Sequence, residues 1–149
     1  MRIVRDYPYP PALVWRALTD PEPVSLWTAT GAGARPEGLR TEVGATFRYV
    51  ARSRPGWSGV VVCHVLAADA PWRLRYTWQD ASGGAITEVS YRLESHGEGT
   101  RFTYEHTGFT GPDGFMMERL LGRVRRRVLT DGLPAVLASI DHSGHPHSL

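Results

Sequence analysis

Side chains able to carry acid–base, nucleophilic or metal chemistry are few in this sequence. The lone cysteine, Cys63, alternates with Val61 and Val65. It therefore shares their apolar face and reads as a buried, inert thiol rather than a nucleophile. His106 ends an alternating series with Phe102 and Tyr104. An imidazole beside phenols in an apolar cavity can give or take a proton, so His106, Tyr104 and Tyr76 are the candidate acids and bases. The competing reading of His106 is a hydrogen-bonded structural role. His142, His145 and His147 have a spacing that could hold a transition metal, but without carboxylates or a folded frame no metal site is expected there. Neither a metal nor any other cofactor is called for. With one cysteine, no internal disulfide can form.

The basic residues invite a second chemistry, anion binding. All 17 are arginine, with no lysine, and the net charge is only +2 although the pI is about 9.0. A coding bias toward arginine accounts for this better than selection for an anionic partner. The arginine-rich stretch Arg119 to Arg127 reads as the solvated face of a helix, and no nucleic-acid partner is expected.

These residues need elements to hold them. Arg2 to Tyr7 alternates and suits a first strand, ended by Pro8, Pro10 and Pro11. Pro11 suits the first turn of a short helix carrying Val14, Trp15 and Leu18, and Asp20-Pro21 opens a second carrying Val24 and Trp27. Gly31 to Gly44 is a glycine- and proline-rich connection, with room for a short strand at its end. Five strand-like runs follow: Thr46 to Val50, Gly59 to Ala67, Arg73 to Trp78, Ile86 to Glu94 and Thr100 to His106. Arg54-Pro55-Gly56, Asp69-Ala70-Pro71, Ser82-Gly83-Gly84 and His96-Gly97-Glu98-Gly99 separate them, which makes an antiparallel meander. Leu74, Tyr76 and Trp78, then Val89, Tyr91 and Leu93, then Phe102, Tyr104 and His106 give it one apolar, aromatic face.

After Gly111-Pro112-Asp113-Gly114 a helix begins. Its stripe of Met117, Leu120, Leu121, Val124 and Val128 is expected to cover the sheet, with Arg119, Arg123, Arg126 and Arg127 outside. Gly132 and Pro134 predict a kink or break, because the proline ring clashes with the carbonyl of Thr130. A last helical stretch then ends near Ile140. The fold class is thus α+β: a curved antiparallel sheet of six or seven strands wrapped around a long C-terminal helix, with two short helices after the first strand. Residues 1–141 form one domain, whose size buries roughly 70% of its unfolded surface, and residues 142–149 a disordered tail. No signal-peptide pattern or membrane-spanning run is seen, so a cytoplasmic protein without a membrane partner, monomeric or homodimeric, is expected.

Three stretches carry a family resemblance. They are Tyr7-Pro8-Tyr9-Pro10-Pro11-Ala12-Leu13-Val14-Trp15-Arg16-Ala17-Leu18-Thr19-Asp20-Pro21 with Trp27, Pro71-Trp72-Arg73-Leu74-Arg75-Tyr76-Thr77-Trp78, and Gly99-Thr100-Arg101-Phe102-Thr103-Tyr104-Glu105-His106-Thr107-Gly108-Phe109 with the closing Gly132-Leu133-Pro134-Ala135-Val136-Leu137. The sequence resembles the START-like SRPBCC superfamily of helix-grip proteins, in the branch of the heat-shock chaperone ATPase activator homologues. The resemblance implies the helix-grip (START-like) fold and a role among lipid and hormone carriers, polyketide cyclases, or antibiotic biosynthesis and self-resistance proteins. Its motifs describe packing and turns, so they fix the fold better than the function.

A curved sheet closed by one helix encloses space as well as core. Its expected lining is Trp27 from the second short helix, Phe47, Tyr49, Cys63, Tyr76, Trp78, Tyr91, Phe102, Tyr104 and His106 from the sheet, and Met117, Leu120, Leu121 and Val124 from the long helix. Aromatic walls with a few polar tips suit a small hydrophobic, flat and oxygenated ligand. A non-catalytic binding protein is the preferred reading. An aromatase or cyclase using the same cavity, and a chaperone partner acting through its surface, are the alternatives.

Overall fold

The structure, a computed structural model, describes residues 1–29, 34–53, 55 and 58–143, with the backbone alone for 29, 142 and 143. Strand β1 (Arg2–Tyr7) leads into helices α1 (Pro11–Thr19) and α2 (Pro21–Ala29). The meander comprises β2 (Arg35–Glu37), β3 (Thr46–Val50), β4 (Val60–Asp69), β5 (Arg73–Asp80), β6 (Thr87–His96) and β7 (Gly99–Thr107). Helix α3 (Gly111–Arg127), a π-helical turn (Val128–Gly132) and α4 (Leu133–Ser143) close the chain. All neighbouring strands are antiparallel, in the order β1-β7-β6-β5-β4-β3-β2. The first strand therefore joins the meander beside its last. Among the described residues, no helix is long and apolar enough to cross a membrane.

The expected faces are the observed ones. Leu74, Tyr76, Val89, Tyr91, Leu93, Phe102, Tyr104 and His106 are buried, with Phe47, Tyr49, Val61, Cys63 and Val65 beside them. The register of β4 on β5 shifts between Val65 and Ala67, and the intervening Leu66 is exposed. Such a bulge bends its strand and increases the twist, which helps the sheet curl. Pro11 opens α1 after Pro10 as expected, and Val14, Ala17 and Leu18 face inward. Trp27 Nε1 donates to the Ala17 carbonyl at 2.8 Å, so α2 is latched to α1 by a buried bond. The short strand of the 31–44 connection lies at Arg35–Glu37 rather than at its end. Residues 30–33 and most of the Arg54-Pro55-Gly56 turn lie outside the described residues.

The helical cover differs from the expected one. Met117 and Leu120 are 47% and 57% exposed, while Leu121 and Val124 are half-buried. The buried residues of α3 are Gly122 and Arg125. At about 100° per residue, the helix is turned by roughly a quarter turn from the face that apolarity alone selects. A Cβ at Gly122 would meet the Met1 side chain at 3.7 Å, so this position admits close approach. The sheet is covered chiefly by the buried Val128, Leu129, Leu133, Val136 and Leu137, which follow α3 in the chain.

The break expected at Gly132 and Pro134 takes the form of that π turn, in which Leu133 N–H donates to the Val128 carbonyl five residues back. Continuing the pattern, residue 134 would donate to Leu129 O, but proline has no N–H. Tyr7 Oη fills the gap from β1, donating to Leu129 O at 2.7 Å. Arg5, on the same side of β1, adds a 3.1 Å bond from Nε to Thr130 Oγ1. Helix α4 continues to Ser143, past the expected end near Ile140 and into the expected tail; residues 144–149, including His145 and His147, lie outside the described residues.

Two substitutions should separate the covering residues from the standing-off ones. Leu133→Ala should lower unfolding free energy by about 2–5 kcal/mol in urea titrations, whereas Leu120→Ala should stay within about 0.5 kcal/mol. Tyr7→Phe keeps the ring and leaves a buried carbonyl without its donor, so a loss of about 1–3 kcal/mol is expected. An unchanged denaturation midpoint would show that Leu129 O needs no such donor.

Candidate functional site

A cavity of about 80 Å³ opens between the sheet and α3. Its floor is Tyr49, Val61 and Trp78 from β3, β4 and β5, and its roof is Leu121, Val124, Arg125 and Val128 from α3 and the π turn. Thr28, Ala34, Ala51 and Gly59 complete the wall. Gly59 has φ +80°, and a Cβ there would come within 2.5 Å of the Ala51 carbonyl oxygen, so this wall position requires glycine. Thr28 Oγ1 lies 2.6 Å from Val24 O and 2.9 Å from Ala34 O, tying α2 to the start of β2.

Arg125 is the unexpected member. It is only 7% exposed, and its guanidinium carbon lies 5.3 Å from the ring of Trp78, 5.5 Å from Tyr104, 5.9 Å from Tyr49 and 6.0 Å from Trp27. Among the described residues no carboxylate forms an ion pair with it. Burial opposes its charge, yet the guanidinium stays protonated, with the rings of Trp78, Tyr104, Tyr49 and Trp27 around it. Those phenols remain neutral. Burial raises the pKa of Tyr49, Tyr76, Tyr91 and Tyr104 above the ordinary tyrosine value.

The expected ligand residues divide three ways. Tyr49, Trp78, Leu121 and Val124 line the cavity. Trp27, Phe47, Cys63, Tyr76, Tyr91, Phe102, Tyr104 and His106 are packed into the core instead, where the rings meet largely edge to face, as Phe47 does with Tyr76 at 5.2 Å and Tyr91 with Phe102 at 5.3 Å. Met117 and Leu120 face solvent. Sequence reasoning missed Arg125, Thr28, Val61 and Val128 as lining. For Arg125 a signal existed: it lies three and four residues from Gly122 and Leu121 and four before Leu129, hence on their face.

Of the candidate acids and bases, Tyr76 and His106 are held in structural bonds. Tyr76 Oη and Tyr91 Oη are 3.2 Å apart, and Tyr104, beside Arg125, has its Oη buried with no well-formed hydrogen bond among the described residues. His106 Nε2 lies 2.7 Å from Thr87 Oγ1, which in turn donates to the Trp78 carbonyl at 3.2 Å. That chain assigns the proton of His106 to Nε2 and leaves Nδ1, which has no partner, as a bare acceptor. Burial, reinforced by the nearby Arg125 charge, lowers the imidazole pKa to about 3. Burial also pushes the Cys63 thiol up to about 12, so it is no nucleophile at neutral pH. Among the described residues no group of three or more His, Cys, Asp or Glu is placed to hold a metal ion.

This arrangement sits on a known fold. The family model described as "Activator of Hsp90 ATPase homolog 1-like protein" matches residues 8–138. The chain belongs to that family. With it comes membership of the START-like SRPBCC superfamily, and the helix-grip architecture is the one described above. Among curated proteins none matches the chain. Similar solved structures include protein MLL2253 of Mesorhizobium loti, with 27% identity over 93% of this chain and 96% of that one, at a TM-score of 0.73. DynU16, a protein of the dynemicin biosynthetic locus, is 22% identical over 98% of this chain and 48% of that one, at 0.67. CalU16 of Micromonospora echinospora is 22% identical over 95% and 83%, at 0.58. At such identities DynU16 and CalU16 share the fold with this family member.

The pKa of His106 sets an acid response. Its folded value of about 3 lies below the ordinary 6.5, so the unfolded chain binds the extra proton first. This contribution to stability is complete above pH 6.5 and is lost as pH falls toward 3, with a slope of up to about 1.4 kcal/mol per pH unit. His106→Gln should flatten the stability–pH curve in that window, as read by urea titrations at several pH values. A slope the same in both proteins would mean that His106 is protonated without cost.

Proposed function

We propose that the chain is a binding protein for a small, largely apolar molecule, held between the sheet and α3. The observation that carries this reading is the cavity itself, with aromatic Tyr49 and Trp78 on one side and aliphatic Leu121, Val124 and Val128 on the other. Such walls favour apolar and flat ligands. Binding requires only these walls. A cyclase would need Tyr76, Tyr104 or His106 turned toward its substrate, and none of them lines the cavity. The biosynthetic setting named for DynU16 agrees with a natural-product ligand, in biosynthesis, transport or self-resistance.

Size refines the reading. An engineered cavity of about 150 Å³ takes benzene, so 80 Å³ encloses one end of a ligand rather than a polycyclic whole. A larger molecule enters if α3 moves away from the sheet. The standing-off position of α3, with Phe115, Met116, Met117 and Leu120 exposed, favours that motion.

Tryptophan emission should report the event, because Trp78 is a wall. A flat aromatic ligand should quench it, with dissociation constants of about 1–100 µM. Trp78→Ala should weaken binding about tenfold or more, whereas Trp72→Ala, on the exposed turn before β5, should not. A panel of polyketides, fatty acids and sterols that produces neither quenching nor thermal stabilisation would sink the proposal.

A further inference from the structure

We infer that the occupant of the cavity is an acid, a monocarboxylate whose charge pairs with the Arg125 guanidinium. The inference rests on reading the cavity as a small-molecule site and names the class of ligand. The arginines of the chain fall into two environments. Arg35, Arg40, Arg48, Arg75 and Arg101 each reach a carboxylate within 3.1 Å while lying in or near solvent, where pairing contributes least. Arg125, removed from solvent, has no such partner among the described residues. Buried charges are ordinarily paired, because an uncompensated one forfeits its hydration.

Among the described residues nothing in the wall supplies the missing charge: Arg125 and Tyr49 are the ionisable groups that line the cavity, and the Tyr49 phenol stays neutral. The Thr28 hydroxyl is engaged with backbone carbonyls. The aromatic faces of Trp27, Tyr49, Trp78 and Tyr104 attract the cation but do not neutralise it. A guanidinium retains a planar fork of donors that matches a carboxylate bidentately. One cation also sets the count, since a dianion would bring a second charge out of water without a partner. The volume of about 80 Å³ admits the carboxyl group with a short apolar piece. The remainder of the ligand leaves past Leu121 and Val124, toward Met117 one turn away on the same face and exposed.

A matched pair of probes tests this on the intact protein: 2-naphthoate and the neutral, nearly isosteric 2-naphthamide, titrated calorimetrically at neutral pH. The acid should bind at least about tenfold more tightly. Arg125→Met should bind both alike. Equal affinities in the unaltered protein overturn the inference, a result that needs no variant to fold. So does a preference that survives in Arg125→Met, or binding of neutral apolar compounds with no binding of the acid. Each of those outcomes leaves small-molecule binding standing, whereas silence across acids and neutral compounds alike removes the reading beneath it.

Discussion

A guanidinium enclosed by aromatic rings is the constraint around which the helical half of this protein is arranged. Taking a cation out of water costs several kcal/mol, and a desolvated cation–π contact returns up to about 2 kcal/mol. One ring would not hold Arg125 inside. Four, contributed by α2, β3, β5 and β7, are of the right order together. The consequence for α3 is orientational: Arg125 faces inward, Gly122 follows it, and the apolar Met117 and Leu120 are carried outward. The cavity lies where this rotated helix meets the curled strands β3 to β5.

The same charge governs the ionisation of its surroundings. His106 stays neutral, chiefly through burial and also through repulsion from Arg125, so the core does not acquire a second cation. The tyrosines are pulled toward ionisation by Arg125, but desolvation outweighs that pull and they remain phenols. Cys63 behaves likewise. Among the described residues, the buried titratable side chains of this core are neutral at neutral pH except Arg125. Groups that resemble acid–base machinery in the sequence are in fact a neutral aromatic bed for a single cation.

Strand-by-strand, the sheet was legible because alternation has a period that no tertiary contact alters. Leu74-Tyr76, Val89-Tyr91-Leu93 and Phe102-Tyr104-His106 all face as their alternation says. Pro11 and Asp20-Pro21 marked the short helices, and Gly132 with Pro134 marked the break, because proline acts through its own covalent geometry. The face of α3 was legible only through the spacing of Arg125 to Gly122 and Leu129, which apolarity outweighs. Amphipathicity assigns arginine to solvent, and the partners that reverse this assignment for Arg125 lie far away in sequence, at Trp27, Tyr49, Trp78 and Tyr104. Aromatic content likewise suggested a lined cavity, but most of those rings fill space against one another. Among the described residues only Tyr49 and Trp78 of these rings line the cavity, where the sheet meets α3.

The two ends of the C-terminal helical segment are held by different means. From Leu129 onward the chain is fixed by a buried hydroxyl from Tyr7, by Arg5 on Thr130 and by Leu133 and Leu137 in the core. Before Val128 the inward contacts are the guanidinium in its aromatic box, Gly122 beside Met1, and Glu118 against the Met1 amino group at 2.7 Å. Cation–π and ion-pair contacts tolerate displacement better than interdigitated aliphatic packing, because they fall off gradually with distance while packed side chains fit one arrangement. Local opening therefore belongs to α3, with the π turn as the junction. A carboxylate arriving at Arg125 would act at the point that holds this loose end down. Binding it would neutralise the buried charge and fasten α3 in the same step, so ligand recognition and closure of the cavity reduce to one interaction.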